Sequence, residues 1–203
     1  MKPVLSHLNE AIEQLTKAGM ESPQLDAEVL LAHALGCERH EVYCTPHPPK
    51  SWRMLRDPAK PGLDAATTGY LLPYGNLEVF KSYVERRLKN EPIAYIVGYK
   101  EFWSLKIKVT PAVLIPRPAT ENLVEKALEI LDHGLWTVNH RPKILDLCTG
   151  SGAIAAALAK ELPTANIVAA DISAEALQVA KENLKFAEDR VTLVQSNLFE
   201  KIT

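Results

Sequence analysis

The chain has 203 residues, 47% of them hydrophobic and 24% charged, an ordinary composition for a globular protein with a substantial core. Its 23 basic and 25 acidic residues give a net charge of −2, so no excess positive charge favours direct binding to nucleic acid, and a protein or small-molecule partner is indicated. Three cysteines cannot form a disulfide framework, and the segment MKPVLSHLNEAIEQL is neither a signal peptide nor a membrane span, which predicts a cytoplasmic protein without a membrane partner.

Residues 1–90 are predicted to form a helical domain. Gly19 follows the first helix as a terminator, and the second helix begins at Ser22 and Pro23 and runs to Gly36. The serine oxygen can accept an amide hydrogen bond there, while proline loses nothing at the first helical position. The apolar positions of the first helix, which recur at helical spacing, are Leu5, Leu8, Ile12 and Leu15.

An irregular insertion is predicted for residues 45–76, which carry six prolines and three glycines. A regular helix or sheet does not accommodate such a segment. Helical spacing returns at Leu77 and stops before Pro92, where the helical domain is predicted to end. In this last helix, Arg86 and Arg87 lie near glutamates in the sequence, which predicts a solvated helix face.

A β-hairpin linker is predicted for residues 91–118, because apolar and polar residues alternate in two short extended segments closed by Ser104. Prolines stiffen the exit from the hairpin, and residues 120–131 have the spacing of an amphipathic helix. The apolar positions of the hairpin are Phe102, Leu105, Ile107 and Val109.

An α/β unit with a Rossmann-like sheet is predicted for residues 119–203. From Lys143 the pattern runs strand, glycine loop, helix, strand, helix, strand, which predicts a parallel sheet with right-handed crossovers. The predicted strands are Lys143–Cys148, Asn166–Asp171 and Val191–Gln195.

The loop after the first of these strands contains two glycines. Gly150 and Gly152 lack a Cβ, so the backbone can turn sharply and approach a ligand at the carboxyl end of the strand. Asp171 ends the second strand nineteen residues past Gly152, close to the spacing at which an acid receives ribose hydroxyls. The third strand is followed by residues 196–198, placed to meet an adenine.

Asp146 precedes the glycine loop in the string Asp-Leu-Cys-Thr-Gly-Ser-Gly. A dinucleotide site has the three-glycine G-x-G-x-x-G pattern facing a pyrophosphate. An acid beside the loop instead attracts a cation and repels a pyrophosphate. The residues therefore favour S-adenosylmethionine, which carries a sulfonium and an amino group, over a dinucleotide.

Several strings of the chain resemble the HemK/PrmC family, whose members methylate the glutamine of the Gly-Gly-Gln motif in peptide-chain release factors. The resemblance covers nearly the whole length. It implies S-adenosylmethionine as cofactor, a helical domain that helps to dock the release factor, and a class I methyltransferase domain of which residues 119–203 are the N-terminal half. The strings are Ser22–His33, Glu91–Gly98, Glu101–Trp103 and Val113–Pro118.

The resemblance also assigns site residues. The family's cofactor loop falls on residues 148–152, its ribose acid on Asp171 and its adenine-side residues on Asn197 and Leu198. Phe102 is placed on the substrate side by the family alone, whereas Arg117 is placed there also by its rigid setting between two prolines. The cofactor residues so predicted are Asp146, Cys148, Thr149, Gly150, Ser151, Gly152, Asp171, Asn197 and Leu198.

Three positions depart from the family pattern. Cys148 stands where glycine is common, and the string Cys-Thr-Gly-Ser-Gly resembles the enzymes that methylate a glutamine of ribosomal protein L3, the alternative substrate. Ala119 replaces a glutamate near the active-site entrance, although Glu121 remains. Asn197 replaces an aspartate, but its amide oxygen can still accept a hydrogen bond from the adenine amino group.

A fourth departure concerns the family's Asn-Pro-Pro-Tyr motif, which orients the target amide and is absent up to Thr203. Because amide nitrogen is a poor nucleophile unless it is oriented, no catalytic residue is assigned and the chain alone is expected to be inactive. An unpaired sheet edge is expected to promote aggregation, and the folded chain is expected to be a monomer.

The sequence also offers a possible metal site and two other functions. A zinc site is disfavoured because Gly36 and Pro46 break the helix that would align its ligands, so no metal is predicted. A non-catalytic module that binds a translation factor is the second hypothesis, and a nucleic-acid methyltransferase is the third, disfavoured by the charge balance. The residues with metal-ligand spacing are His33, Cys37, His40, Cys44 and His47.

Overall fold

The computed structural model describes residues 4–43, 74–132 and 141–202. These residues form two compact units, one ending at Val97 and the other beginning at Gly98. The predicted insertion at 45–76 lies largely outside the described residues. None of the described helices is both long and apolar enough to cross a membrane.

The first unit is helical, and it includes a helix at Ile93–Val97, residues that were predicted from the sequence to lie in the hairpin linker. Its α-helices are α1 (Val4–Lys17), α2 (Pro23–Leu35), α3 (Tyr74–Leu88) and α4 (Ile93–Val97), with a 3-10 helix at Arg39–Tyr43.

The apolar stripe of α1 is displaced slightly from the predicted one. Leu5 and Ile12 are half-buried, and the neighbouring residues Val4 and Ala11 lie on the most deeply buried side of α1. Gly19 has a φ of +73°, consistent with its predicted role as the helix terminator. The fully buried positions of α1 are Val4, Leu8, Ala11 and Leu15.

Helix α2 begins and ends where the sequence predicted, but its first turn is closed differently. Ser22 makes no side-chain capping bond, so that part of the prediction is wrong. Its backbone carbonyl accepts the first intrahelical hydrogen bond, from the Asp26 N–H at 2.9 Å, as the residue before a helix normally does. At the other end, Gly36 has a φ of +67° and its N–H donates back to carbonyls of the last turn, as expected for glycine at a helix C-terminus.

Helix α3 begins earlier than predicted. Residues 74–76, assigned from the sequence to the irregular insertion, are helical. Asn76 donates a side-chain hydrogen bond to the carbonyl of Ala34 at 2.6 Å. This contact links the first turn of α3 to α2. It is a tertiary contact, which can override the weak local preference of a segment that contains a glycine.

Of the two arginines assigned to a solvated helix face, Arg87 departs from the prediction, whereas the Arg86 side chain is 40% exposed. The Nε atom of Arg87 donates to the buried Asp26 carboxylate at 2.7 Å, and the Arg87 side chain is largely buried. Arg86 makes a two-pronged ion pair with Glu91, which lowers the pKa of the Glu91 carboxyl. Arg87 therefore joins α3 to α2 within the helical unit, whereas Arg86 makes a more exposed pair with Glu91.

The second unit begins with the predicted hairpin, whose strands β1 (Tyr99–Phe102) and β2 (Leu105–Lys108) are antiparallel. The turn has two central residues, Trp103 and Ser104, with φ values of +52° and +53°. Positive φ at both positions is the geometry of a two-residue hairpin turn that matches strand twist. Sequence reasoning found Ser104 and missed its partner Trp103.

The remainder of the second unit is the predicted α/β arrangement. The parallel strands β3 (Lys143–Leu147), β4 (Asn166–Asp171) and β5 (Val191–Gln195) lie in the order β3-β4-β5. Asp146 is aligned with Ala169, and Asp171 with Gln195, so the three strands end at one edge. The predicted α/β class, with a parallel Rossmann-like sheet, is thereby confirmed. Its helices are α5 (Glu121–Asp132), α6 (Ala153–Glu161) and α7 (Ala174–Asn183), with 3-10 turns at Pro118–Thr120 and Lys185–Ala187.

Candidate functional site

The carboxyl ends of β3, β4 and β5 carry the residues that the sequence singled out. The glycine loop, residues 148–152, follows β3. Asp171 ends β4, and residues 196–198 follow β5. Because the strands are parallel, these three segments lie at the same edge of the sheet, where open α/β sheets bind ligands.

Asp146 lies beneath the glycine loop and is 8% exposed. Its carboxylate accepts a hydrogen bond from the Thr149 hydroxyl at 2.7 Å, and the backbone N–H of Ala155, in the first turn of α6, favours its charged form. Burial raises the pKa of the Asp146 carboxyl and the nearby Asp171 charge raises it further, while the Thr149 hydroxyl and the Ala155 N–H oppose that shift. Asp146 thus stabilises the loop and the start of α6 from within the protein.

The two glycines of the loop have different surroundings. Gly152 has a φ of +76°, and a Cβ placed on it would lie 3.1 Å from the Ala180 Cβ and 3.1 Å from a Leu184 methyl carbon. Gly150 has a φ of +55°, but a Cβ placed on it would meet nothing within 4 Å. The close approach that requires Gly152 is therefore to helix α7, whereas Gly150 faces open space.

Cys148 also adopts the left-handed backbone region, with a φ of +57°, and its side chain is exposed. This conformation suits glycine and is uncommon for residues with a side chain. The structure therefore gives a physical reason for the glycine that is common at this position in the HemK/PrmC pattern. Cys148 keeps the same turn at some cost in backbone strain.

Asp171 holds the glycine loop from the side of β4. One carboxylate oxygen accepts from the Gly150 N–H at 2.9 Å and the other from the Ser173 N–H at 3.0 Å. The side chain is half-buried, so it contacts the loop while part of it still faces solvent. A carboxylate oxygen has room for more than one donor, which leaves capacity for ligand hydroxyls.

Three large apolar side chains at this edge of the sheet are exposed to solvent. They are Ile172 at 66%, Leu198 at 56% and Phe199 at 65%. Leu198 has a φ of +48°, a rare conformation for a bulky side chain. Sequence reasoning missed Ile172 and Phe199, although an apolar residue directly after a strand-ending acid was an available signal.

The segment after β5 is organised by Ser196. This buried serine donates its hydroxyl to the carbonyl of Leu198 at 2.9 Å and accepts from the N–H of Lys201 at 3.0 Å. Asn197 is exposed, and its side-chain NH₂ donates to Glu200 at 3.0 Å. That bond turns the NH₂ toward Glu200 and leaves the amide oxygen as the acceptor that was predicted to meet an adenine.

Ser151, a predicted cofactor residue, is only 3% exposed. Its backbone carbonyl accepts a hydrogen bond from the side-chain NH₂ of Asn183 at 2.8 Å. Nothing in the sequence pointed to Asn183, since its partner lies 32 residues away along the chain. Ser151 therefore contributes its backbone, held from the side of α7, rather than an exposed hydroxyl.

The two residues assigned to the substrate side differ in accessibility. Phe102 is 1% exposed and lies in the apolar core of the second unit. Arg117 is exposed at the N-terminal end of the 3-10 turn Pro118–Thr120. Of the two, only Arg117 presents its side chain to solvent.

The described part of the chain contains no group of three or more histidine, cysteine, aspartate or glutamate side chains arranged to hold a metal. His33 lies in the last turn of α2 and Cys37 follows that helix. Cys44 and His47, the last two residues of the predicted ligand series, lie outside the described residues.

Comparison with known proteins gives two family matches. The PrmC N-terminal domain matches residues 6–56, and the methyltransferase small domain matches residues 119–203. The first match falls on the helical unit and the second on the parallel sheet with its glycine loop. The resemblance to the HemK/PrmC family is thereby confirmed.

Two curated relatives carry the name release factor glutamine methyltransferase. The protein of Rhodopirellula baltica is 44% identical over 188 residues, which are 91% of this chain and 55% of the relative. That of Aliivibrio fischeri is 44% identical over 197 residues, which are 97% of this chain and 60% of the relative. The chain thus spans somewhat more than half the length of these relatives.

Proposed function

We propose that the chain binds S-adenosylmethionine at the carboxyl edge of its parallel sheet, as the cofactor site of a protein-glutamine N5-methyltransferase. The observation that carries this proposal is Asp171, whose half-buried carboxylate holds the Gly150 N–H at 2.9 Å beside open space. A carboxylate in this place accepts ribose hydroxyls. The family matches favour a methyl donor as the nucleoside bound there.

The charge of the site supports a cationic ligand. Asp171 is near enough to Asp146 for its charge to raise the pKa of the Asp146 carboxyl. Two acids at the edge of the sheet favour the sulfonium and amino group of S-adenosylmethionine and oppose a pyrophosphate. Because Asp146 is buried and bonded to Thr149, its short-range role is to shape the loop, and its charge acts on the ligand from beneath.

The apolar residues of the site fit the adenine. Ile172 and Leu198 follow the ends of adjacent strands and expose apolar side chains, which can cover the two faces of a flat ring. The exposed amide oxygen of Asn197 then accepts a hydrogen bond from the adenine amino group. The backbone of residues 148–152 covers the methionine part of the cofactor.

The proposed substrate is the Gly-Gly-Gln glutamine of a peptide-chain release factor. The names of the two relatives support it over ribosomal protein L3. Bound S-adenosylmethionine supplies an electrophilic methyl group. The exposed Arg117 orients the substrate, buried Phe102 supports the hairpin from beneath, and the helical unit docks the release factor.

Calorimetric titration of the 203-residue chain tests the cofactor proposal. S-adenosylmethionine is expected to bind and NAD is not. Asp171→Ala should weaken binding about tenfold or more, because it removes a charged acceptor. Asp189→Ala is the matched control, since Asp189 is an exposed aspartate just ahead of the amino end of β5. Tighter binding of NAD than of S-adenosylmethionine overturns the proposal.

Affinity measurements with the two candidate substrates test the partner. Fluorescently labelled chain is titrated with a purified release factor and, separately, with ribosomal protein L3. Tighter binding of the release factor is expected. A preference for ribosomal protein L3 would overturn the assigned substrate and leave the cofactor site untouched. Release-factor binding together with no cofactor binding would favour the non-catalytic module.

A further inference from the structure

The side chain of Asn183, at the end of α7, makes three hydrogen bonds to backbone groups outside its own helix. Its Oδ1 accepts from the N–H of Lys108 at 2.8 Å, and its Nδ2 donates to the carbonyl of Lys108 at 2.9 Å. The same Nδ2 donates to the carbonyl of Ser151 at 2.8 Å. One amide group thus joins the end of strand β2 to the glycine loop.

The bond to Ser151 fixes the peptide group between Ser151 and Gly152. On one side of this group the Ser151 carbonyl is held by Asn183, and on the other the Gly152 N–H donates to the carbonyl of Thr149 at 2.8 Å. Because a peptide group is planar and rigid, two hydrogen bonds on opposite sides determine its orientation. With the peptide group in this orientation, Gly152 has a positive φ and the Gly150 N–H donates to the Asp171 carboxylate.

The opposite end of the hairpin is held independently of the glycine loop. The Trp103 N–H donates to Glu121 at 2.8 Å, and the Trp103 indole Nε1 donates to Glu161 at 2.9 Å. An ion pair between Lys108 and Glu182, at 2.6 Å, also joins β2 to α7 without contacting the loop. Among these contacts of the hairpin, those of Asn183 alone include the glycine loop.

We propose that Asn183 is a positioning residue that couples the β-hairpin to the cofactor loop. The inference rests on the proposed function, because the loop matters to catalysis only as the cofactor site. Through Asn183, a shift of β2 changes the orientation of the Ser151–Gly152 peptide and so the affinity for cofactor. Linkage requires the reverse effect as well, so cofactor binding stabilises the position of the hairpin.

A simple helix cap does not account for these contacts. A side chain that only terminates α7 would satisfy carbonyls of α7 itself, whereas the partners of Asn183 lie 32 and 75 residues away along the chain. Only a side-chain amide provides both the acceptor for the Lys108 N–H and the donor for the two carbonyls. Loss of the donor removes the bonds to the carbonyls of Ser151 and Lys108 and keeps the bond from the Lys108 N–H. It is therefore predicted to release the loop while one of the two hairpin bonds remains.

The variant Asn183→Asp tests this coupling, because it keeps the acceptor for the Lys108 N–H and removes the donor to the carbonyls of Ser151 and Lys108. Glu182→Gln is the matched control, since it breaks the neighbouring ion pair between the same helix and strand. Amide exchange of Gly150 and Gly152 is measured by NMR in the full chain without cofactor. Asn183→Asp is expected to speed both about tenfold, because the lost hydrogen bond is worth on the order of one factor of ten, and Glu182→Gln to leave both unchanged.

Cofactor titration and thermal melting complete the test. Asn183→Asp is expected to lower the affinity for S-adenosylmethionine about tenfold and to leave melting cooperative. Cofactor is expected to slow exchange of the Lys108 amide in the wild type but not in the variant. If the variant does not fold, Asn183→Ala, which creates no carboxylate facing the carbonyls, replaces it with the same expected direction.

Unchanged loop exchange in Asn183→Asp overturns the inference, whether or not cofactor binds. So does a uniform acceleration through α7 and β4 together with the loop, because that is the result of general destabilisation. If the wild type fails to bind S-adenosylmethionine while the loop amides of the variant still accelerate, the proposed function fails and the mechanical link between hairpin and loop stands.

Discussion

The two sides of the glycine loop contrast in what their residues contact. On the inner side, Asp146, Thr149 and Gly152 are bonded to or packed against the protein. On the outer side, Cys148 is exposed and Gly150 faces open space. One short motif therefore contains residues required by the fold and residues available to a ligand, and a motif match alone does not distinguish them.

Asp146 and Asp171 show the same contrast between a residue bonded inside the protein and a residue that is partly exposed. Asp146 is 8% exposed and accepts a hydrogen bond from the Thr149 hydroxyl, which holds the loop from within the protein. Asp171 is half-buried and holds the Gly150 N–H from the open side. Substitutions on the inner side should therefore affect stability first, and those on the outer side should affect ligand affinity first.

Gly152→Ala is expected to have the largest effect. The added Cβ would meet Ala180 and Leu184 at 3.1 Å, and the φ of +76° is strained for alanine. Together these effects should lower the free energy of unfolding by about 3 kcal/mol, measured by urea denaturation. A loss below about 1 kcal/mol would show that α7 can move away, and the inner side would then be less tightly packed than described.

Gly150→Ala is expected to lower both the stability of the protein and its affinity for the cofactor. Only the positive φ opposes the added methyl group, so stability should fall by about 1 kcal/mol. The methyl group would point into the space proposed for the ligand, so affinity for S-adenosylmethionine should fall about tenfold in calorimetric titration. A variant with unchanged affinity would show that the ligand does not lie over Gly150.

Cys148→Gly is expected to stabilise the protein slightly. Relief of the left-handed strain is worth about 1–2 kcal/mol, and the greater freedom of glycine in the unfolded chain offsets part of it. A net gain of about 0.5 kcal/mol in the free energy of unfolding should follow. Cys148→Ala, which keeps a Cβ at a φ of +57°, is the control and should give no gain; equal gains in both variants would contradict the strain argument.

For Asp146, the prediction concerns how the free energy of unfolding depends on pH. Burial raises the pKa of this carboxyl in the folded protein, so the folded state binds the proton more tightly than the unfolded state does. The stability that Asp146 contributes is then fully present below its unfolded pKa and is lost as pH rises through the raised folded pKa. The free energy of unfolding of the wild type minus that of Asp146→Asn should fall across this window, and a rise would contradict the assignment.

The sequence determined the local elements of this protein and their order. Alternating strand and helix patterns located β3, β4 and β5, and the glycine at position 36 marked the end of α2, because these features depend on residues close together in the chain. The same patterns placed the loop and its acids at one edge of a parallel sheet.

Only the tertiary structure decided what each of these residues contacts. It placed Asp146 beneath the loop, brought α7 against Gly152, and joined Asn183 to Ser151 and Lys108. Residues 74–76 are helical for the same kind of reason, since Asn76 bonds to Ala34 across 42 positions of sequence. Contacts between distant residues depend on how elements pack, and local spacing carries no record of that packing.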